Sequence, residues 1–346
     1  MALRNTYGFG LIGCGLISDT HIEAIRRIPE ARLVAVCDVV EAKARQKGEQ
    51  HGAAWHTDLH ELVARDDVQV VNVVTPSGLH HEAGIAAAQA GKHVICTKPI
   101  DVTLEAIDAL IAACAEHGVK LAATHQFRAF PVYLRTKQAL DEGRLGKPLY
   151  ANAFVPWFRT QAYYDNGWHG TRRLDGGGAL MNQSIHWIDL LLWMMGEAES
   201  VAGMADQLAH RMETEDYGAA VVRFKRGAYG LIQGTTCTHR GMPCRFEVHG
   251  TKGNVVTVAD RLRLWDVEGE PPEEHAVAGA VTGAGDPAAG LADAVNAHVE
   301  QIRDVLLAIE EGREPILNGR EARRAVELIL AIYESSETGR VVRLPL

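Results

Sequence analysis

The most constraining feature of this chain is an alternation of apolar strands and helical stretches that fills its first 125 residues. YGFGLIGCG is an apolar run ending in glycines, and SDTHIEAIRRIP keeps helical spacing until Pro29. ARLVAVCD reads as a strand closed by an acid, VEAKARQKGEQHG as a helix, DVQVVNVVTP as a strand and GLHHEAGIAAAQAG as a helix capped by Gly91. HVICTKP, TLEAIDALIAACAEHG and VKLAAT continue as strand, helix and strand. Continuous Val-, Ile- and Leu-rich strands between helices call for a parallel sheet covered on both faces. The expected fold class is therefore α/β, with a doubly wound first domain over residues 1–125.

In such a sheet ligands lie beyond the carboxyl ends of the strands. GCGLIS, Gly13 to Ser18, falls between the first strand and the first helix. Gly13 permits a tight turn, Gly15 lets the backbone approach a pyrophosphate at the helix start, and Leu16 and Ile17 complete the loop. Ser18 stands in the third glycine position, where a small residue still allows close helix packing. Asp38 ends the second strand about 20 residues later, placed to accept hydrogen bonds from ribose hydroxyls. A 2′-phosphate would be repelled there and no arginine follows, so NAD is expected over NADP. Thr75, Pro76 and His80 at the next strand end, Lys98 in TKP, and Gln126 in THQFR complete the candidate cofactor set.

A net charge of −9 without any basic stripe argues against nucleic acid as a partner. The first residues lack a hydrophobic signal core and no apolar stretch is long enough to span a bilayer, so no membrane association and a cytoplasmic location are expected. The 6 cysteines are scattered without a C-x-x-C pair, and HTDLH lacks the glutamate of HExxH, so no metal site is expected.

Residues 126–346 change character. A helical AFPVYLRTKQALDEGRLGKP is followed by strand-like LYANAFVPWF, ESVAGMADQL, YGAAVVRFKRG, AYGLIQGTTC and RFEVHGTKGNVVTV. Turn residues such as Lys225 to Gly227 join several of them, which suggests a mostly antiparallel sheet with helices on one side. Within it, LDGGGALMNQSIHWIDLLLWMMGE predicts a buried helix after three glycines. Asn182, His186, Asp189 and Trp193 share one face of that helix. Two readings stand for the stripe: a core histidine satisfied by Asp189, or a general base whose tautomer Asp189 fixes. VPWFRTQAYYDNGWHGTRRLD, just before it, interleaves Trp, Tyr and Arg as a pocket for a hydroxyl-rich molecule could. Arg128 in THQFR, and Tyr163, Trp168 and Arg172 in this stretch, are the candidate substrate contacts, and Gln126 is a further candidate.

Taken in order, GLIGCGLISDTH, VVTPSGLHHEAGIAAAQAGKHVICTKP, GGGALMNQSIHWIDLLLW and YESSETGRVVRLP resemble the Gfo/Idh/MocA oxidoreductases. That resemblance implies an N-terminal Rossmann domain and a C-terminal α+β domain with a large open sheet used for homodimer or homotetramer contacts. It implies hydride transfer between a nicotinamide cofactor and a hydroxyl of a sugar or cyclitol. It also implies catalytic roles for Lys98, which matches the lysine of the family's Glu-Lys-Pro motif, and for His186. Thr97 replaces the usual glutamate, and Asn182 stands where many members carry an aspartate, which makes it a group that orients a substrate hydroxyl. Two alternatives share the same residues: a glycosidase that oxidises transiently with NAD, and a non-catalytic binder of dinucleotide or sugar.

Overall fold

A computed structural model describes residues 3–165, 167–276 and 291–346. Among these, a first sheet contains β1 (Tyr7–Ile12), β2 (Ala31–Cys37), β3 (Ala54–His56), β4 (Val70–Val73), β5 (His93–Thr97) and β6 (Leu121–Thr124). All pairs are parallel, in the order β3-β2-β1-β4-β5-β6. Helices α1 (Ser18–Arg26), α2 (Glu41–His51), α3 (Leu59–Val63), α4 (His80–Gln89) and α5 (Leu104–Glu116) connect successive strands. Strand order reverses between β1 and β4, which is where a doubly wound sheet opens a crevice. The three-residue β3 was not expected, because a strand that short shows no periodicity.

The division into domains differs from the linear one. The chain separates into a unit running through Gln126 and rejoined by the stretch ending at Arg323, and a second unit of the remainder. The reason lies in the helix Leu291–Glu311, whose Val295, Ile302, Val305 and Leu306 are buried against Tyr7, Phe9, Ile25 and Ile28. Glu310 on the same helix accepts the backbone amides of Arg4 at 2.8 Å and Asn5 at 2.9 Å, which fixes the approach to β1. An amphipathic helix follows the apolar surface that it can cover, whatever its place in sequence.

The second unit contains α6 (Pro131–Asp141), β7 (Pro148–Pro156), α7 (Gln161–Tyr164), α8 (Ile185–Met195), β8 (Ala198–Asp206), β9 (Tyr217–Phe224), β10 (Tyr229–Thr235), β11 (Arg245–Gly250), β12 (Gly253–Val258), β13 (Arg261–Val267), β14 (Glu273–Glu274) and β15 (Val342–Arg343). They form one sheet in the order β14-β13-β12-β11-β7-β10-β9-β8-β15, antiparallel except for β7 with β10. Along β9, Ala220, Val222 and Phe224 are buried while Val221 and Arg223 are exposed, so one face of the sheet is covered. The cover is α8, and it lies close enough that a Cβ on Gly230 would stand 3.1 Å from Leu191. Among the described residues no helix is long and apolar enough to cross a membrane.

Two histidines lie inside the first unit, with ring centroids 4.5 Å apart: His21 on α1 and His298 on the helix Leu291–Glu311. Nδ2 of Asn72 donates to Nδ1 of His21 at 3.0 Å, which places the proton of the neutral ring on Nε2. Burial holds both rings below the ordinary histidine range, His298 at about 4. The unfolded chain binds these protons near pH 6.5, so stability is fully present above that pH and falls as pH drops toward 4. The urea midpoint of the first unit is expected to fall between pH 7 and pH 5, and His298→Leu is expected to flatten that slope.

Candidate functional site

The first unit brings Gly13, Asp38 and Thr75 together at the β1/β4 reversal. Gly13 has φ +104°, and a Cβ on it would come within 2.6 Å of the Val74 carbonyl oxygen, so only glycine fits. A Cβ on Gly15 would meet nothing of the protein within 4 Å, so the space over the loop is open. Leu16 is 97% exposed and Ile17 is also exposed. The carboxylate of Asp38 accepts the Cys14 amide at 2.8 Å and the Val40 amide at 2.9 Å. Those bonds aim it across the loop, and its remaining lone pairs can accept hydroxyl groups. Burial, aided by Asp38, pushes the Cys14 thiol up to about 12 and so leaves it protonated.

Thr75 Oγ1, just past β4, is buried without a hydrogen-bond partner among the described residues, and so is Thr124 Oγ1 at the end of β6. Thr124 was not among the expected residues, and only its burial at a strand end reveals it. Pro76 opens the turn Ser77–Leu79, and Gln126 is half-buried in the turn that follows β6. Lys98 directly follows β5, half-buried, and its peptide bond to Pro99 is cis.

His80, expected among the cofactor contacts, opens α4. It is fully buried, with Nδ1 2.8 Å from the Pro99 carbonyl oxygen and Nε2 2.9 Å from that of Thr75. Both ring nitrogens face backbone carbonyl oxygens, one at the end of β4 and one after β5; the neutral ring donates to one of them and the protonated ring to both. Burial lowers its proton affinity against the opposing pull of these carbonyls.

In the second unit the helix carrying His186 begins with a π-helical segment, Ala179–Ser184, which continues into α8. Its start is set by Glu215, whose buried carboxylate accepts the amides of Gly178 at 3.1 Å and Leu180 at 2.7 Å, and the Tyr333 hydroxyl at 2.9 Å. Burial raises the proton affinity of Glu215 while those donors oppose it. The glycine run is explained by approach distances: a Cβ on Gly177 would lie 2.2 Å from the Tyr333 hydroxyl, and one on Gly178 2.1 Å from the Glu215 carbonyl oxygen.

Asn182 and His186 are both buried, one turn apart. Nδ2 of Asn182 donates to Asp175, and Oδ1 accepts Nε2 of Gln183 at 3.0 Å. Gln183 Nε2 also donates to the Tyr163 hydroxyl at 3.0 Å, and Gln183 Oε1 accepts Nη2 of Arg159 at 2.8 Å. Burial, then the charge of Asp175, raises the Tyr163 phenol to about 12, which keeps it protonated at neutral pH. The rings of Trp168 and His169 lie 3.7 Å apart and those of His169 and Tyr163 4.0 Å apart, forming an aromatic tier. Phe127 lies 4.8 Å from the His186 ring. Arg172 is exposed, and its backbone amide donates to Glu213 at 2.9 Å.

The lower half of the expected polar stripe has a different partner. Arg128 spans Asp189 with Nε at 2.8 Å and Nη2 at 2.7 Å, and its guanidinium lies 5.5 Å from the Trp193 ring. Asp189, expected to orient His186, and Arg128, expected among the substrate contacts, are joined to each other in this buried ion pair. Both are almost wholly buried, the carboxylate at 1% exposure.

Comparison with known proteins bears on both units. Residues 7–125 match the model for the oxidoreductase family with an NAD-binding Rossmann fold, and residues 133–256 match that of the GFO/IDH/MocA C-terminal domain. The chain belongs to the Gfo/Idh/MocA family. Members similar to it include the myo-inositol 2-dehydrogenase of Thermotoga maritima, 28% identical over 97% of this chain and 98% of that enzyme. The D-apiose dehydrogenase of Paraburkholderia graminis is 27% identical over 96% of this chain and 88% of its own. The WlbA dehydrogenase of Bordetella pertussis, solved with NADH and UDP-GlcNAcA, superposes with a TM-score of 0.88 at 32% identity, covering 100% of both chains. As a Gfo/Idh/MocA member this chain is a nicotinamide-dependent dehydrogenase acting on CH–OH groups. The open space at Gly15, the aimed Asp38 carboxylate and the orphaned Thr75 and Thr124 hydroxyls fit a dinucleotide.

Breaking the internal pair separates a structural role of Arg128 from a substrate contact. Arg128→Met leaves Asp189 buried without its guanidinium and is expected to cost roughly 3–5 kcal/mol in denaturant unfolding. Arg128→Met/Asp189→Leu is expected to recover most of it. A raised KM with an unchanged midpoint would instead return Arg128 to the substrate contacts.

Proposed function

We propose that this enzyme oxidises a secondary hydroxyl of a sugar or cyclitol, or reduces the matching ketone, with NAD preferred over NADP. The observation that carries the proposal is His186, buried one turn from the oriented amide of Asn182. His186 takes the hydroxyl proton, and Lys98 stabilises the developing oxyanion with its charge. Bound nicotinamide supplies the hydride acceptor or donor. Gly13, Gly15, Leu16, Ile17, Asp38, Thr75 and Thr124 hold the dinucleotide, with Asp38 accepting the ribose hydroxyls and disfavouring a 2′-phosphate. Asn182, Tyr163 and Trp168 face the sugar, and the WlbA likeness widens the candidates to a nucleotide-linked sugar acid.

The enzyme works as a homodimer or homotetramer through the uncovered face of the second sheet. Supporting this, Met204, Val221, Tyr229 and Leu231 are exposed there, with Leu231 directly opposite Val221 across the β9/β10 pair. Val221→Lys/Leu231→Lys is expected to lower the mass seen by light scattering, with secondary structure unchanged.

The activity is tested on myo-inositol, D-apiose and UDP-GlcNAcA with NAD, and on the matching ketones with NADH. Turnover is expected with at least one, with kcat/KM higher for NAD than for NADP. Lys98→Met and His186→Ala are each expected to lower kcat by about 10²–10⁴. NADH is still expected to raise the Tm of His186→Ala. Sugar release without net NADH would move the assignment to a redox-neutral elimination, and retained turnover in both variants would remove these two residues from it.

A further inference from the structure

Asp175 precedes the glycine run and is fully buried. Its Oδ2 accepts the Gly170 amide at 2.7 Å, and its Oδ1 accepts Nδ2 of Asn182. From there the bonds continue through Gln183 to Arg159. A guanidinium can only donate, and both oxygens of this carboxylate receive N–H groups, so the two ends fix the orientation of both amides between them. Each of these bonds runs from donor to acceptor in one direction, Arg159 toward Asp175.

We propose that Asp175 is a positioning residue for substrate recognition: it locks the Asn182 amide in one orientation beside His186, and thereby places the carboxylate of this site behind an amide instead of at position 182. The proposal rests on Asn182 contacting the substrate, and so on the dehydrogenase assignment above. The lock makes a prediction that no isolated buried acid would make. In Asp175→Asn the new amide serves Gly170 with its oxygen and turns N–H toward N–H of Asn182. Flipping Asn182 moves the conflict to Gln183, and flipping Gln183 moves it to Arg159, which cannot flip. One bond is lost wherever the chain settles. In Asn182→Asp two carboxylates face each other and must share a proton. The swap Asp175→Asn/Asn182→Asp restores this chain of bonds: the new amide donates to the new carboxylate, which also accepts Gln183.

Full-length protein carrying each single change and the swap is compared by Tm and by steady-state kinetics between pH 5 and pH 8. Asp175→Asn is expected to raise the KM for the sugar at least about tenfold, with the KM for NAD within about twofold of the parent. Asn182→Asp is expected to approach the parent at pH 5 and to lose both Tm and kcat/KM as pH rises to 8, because the shared proton leaves. The swap is expected to recover most of both losses and to lack that added pH dependence. If Asp175→Asn gives no folded protein, folded swap protein carries the same meaning. Losses that simply add in the swap, in Tm and in kcat/KM, overturn the lock. No turnover with any CH–OH substrate, alongside a Tm restored by the swap, would overturn the dehydrogenase assignment and leave the lock in place.

Discussion

The Glu215 carboxylate anchors the start of the helix on which the second unit's chemistry stands. It receives the Gly178 and Leu180 amides and the Tyr333 hydroxyl, so a buried acid is satisfied by the very groups that a helix start leaves orphaned. The backbone comes so near that positions 177 and 178 admit no Cβ. From this anchor the π-helical segment carries Asn182 and Gln183 into the polar chain, and α8 carries His186, Asp189 and Trp193. Loss of that one carboxylate would unseat the whole set, not a single contact.

Much of this was legible in the sequence because it follows from short-range rules. The alternation of strands and helices through residue 125, the glycine turn at Gly13 and the acid at Asp38 all sit where a parallel sheet requires them. The antiparallel partners β9 and β10, with the turn at Gly227, follow from two alternating runs close in sequence. Local periodicity also placed Asn182 and His186 on one buried helix.

What escaped depends on distance in sequence. Asp189 lies three residues from His186, which spacing shows, but Arg128, which offers two parallel donors to its carboxylate, lies 61 residues upstream. His80 follows a strand end, as a ligand contact would, and only the fold shows the two backbone carbonyl oxygens that its ring nitrogens face. Asp175 and Glu215 carry no periodic signal, and nothing in the sequence says that they are buried. β13 hides behind an arginine-leucine alternation although a two-residue turn, Ala259 and Asp260, joins it to β12, and β14 and β15, two residues each, are too short to show a period.

The helix Leu291–Glu311 also has a temporal consequence. Ribosomal synthesis delivers the six parallel strands first, yet the apolar flank formed by Tyr7, Phe9, Ile25 and Ile28 stays uncovered until that helix emerges, after the whole second sheet except β15. The nascent chain therefore carries an incomplete first unit through most of its translation, and an exposed greasy surface of this kind is what chaperones hold. A chain ended after Gln126 would keep every strand of the first sheet and still lack one wall of its core.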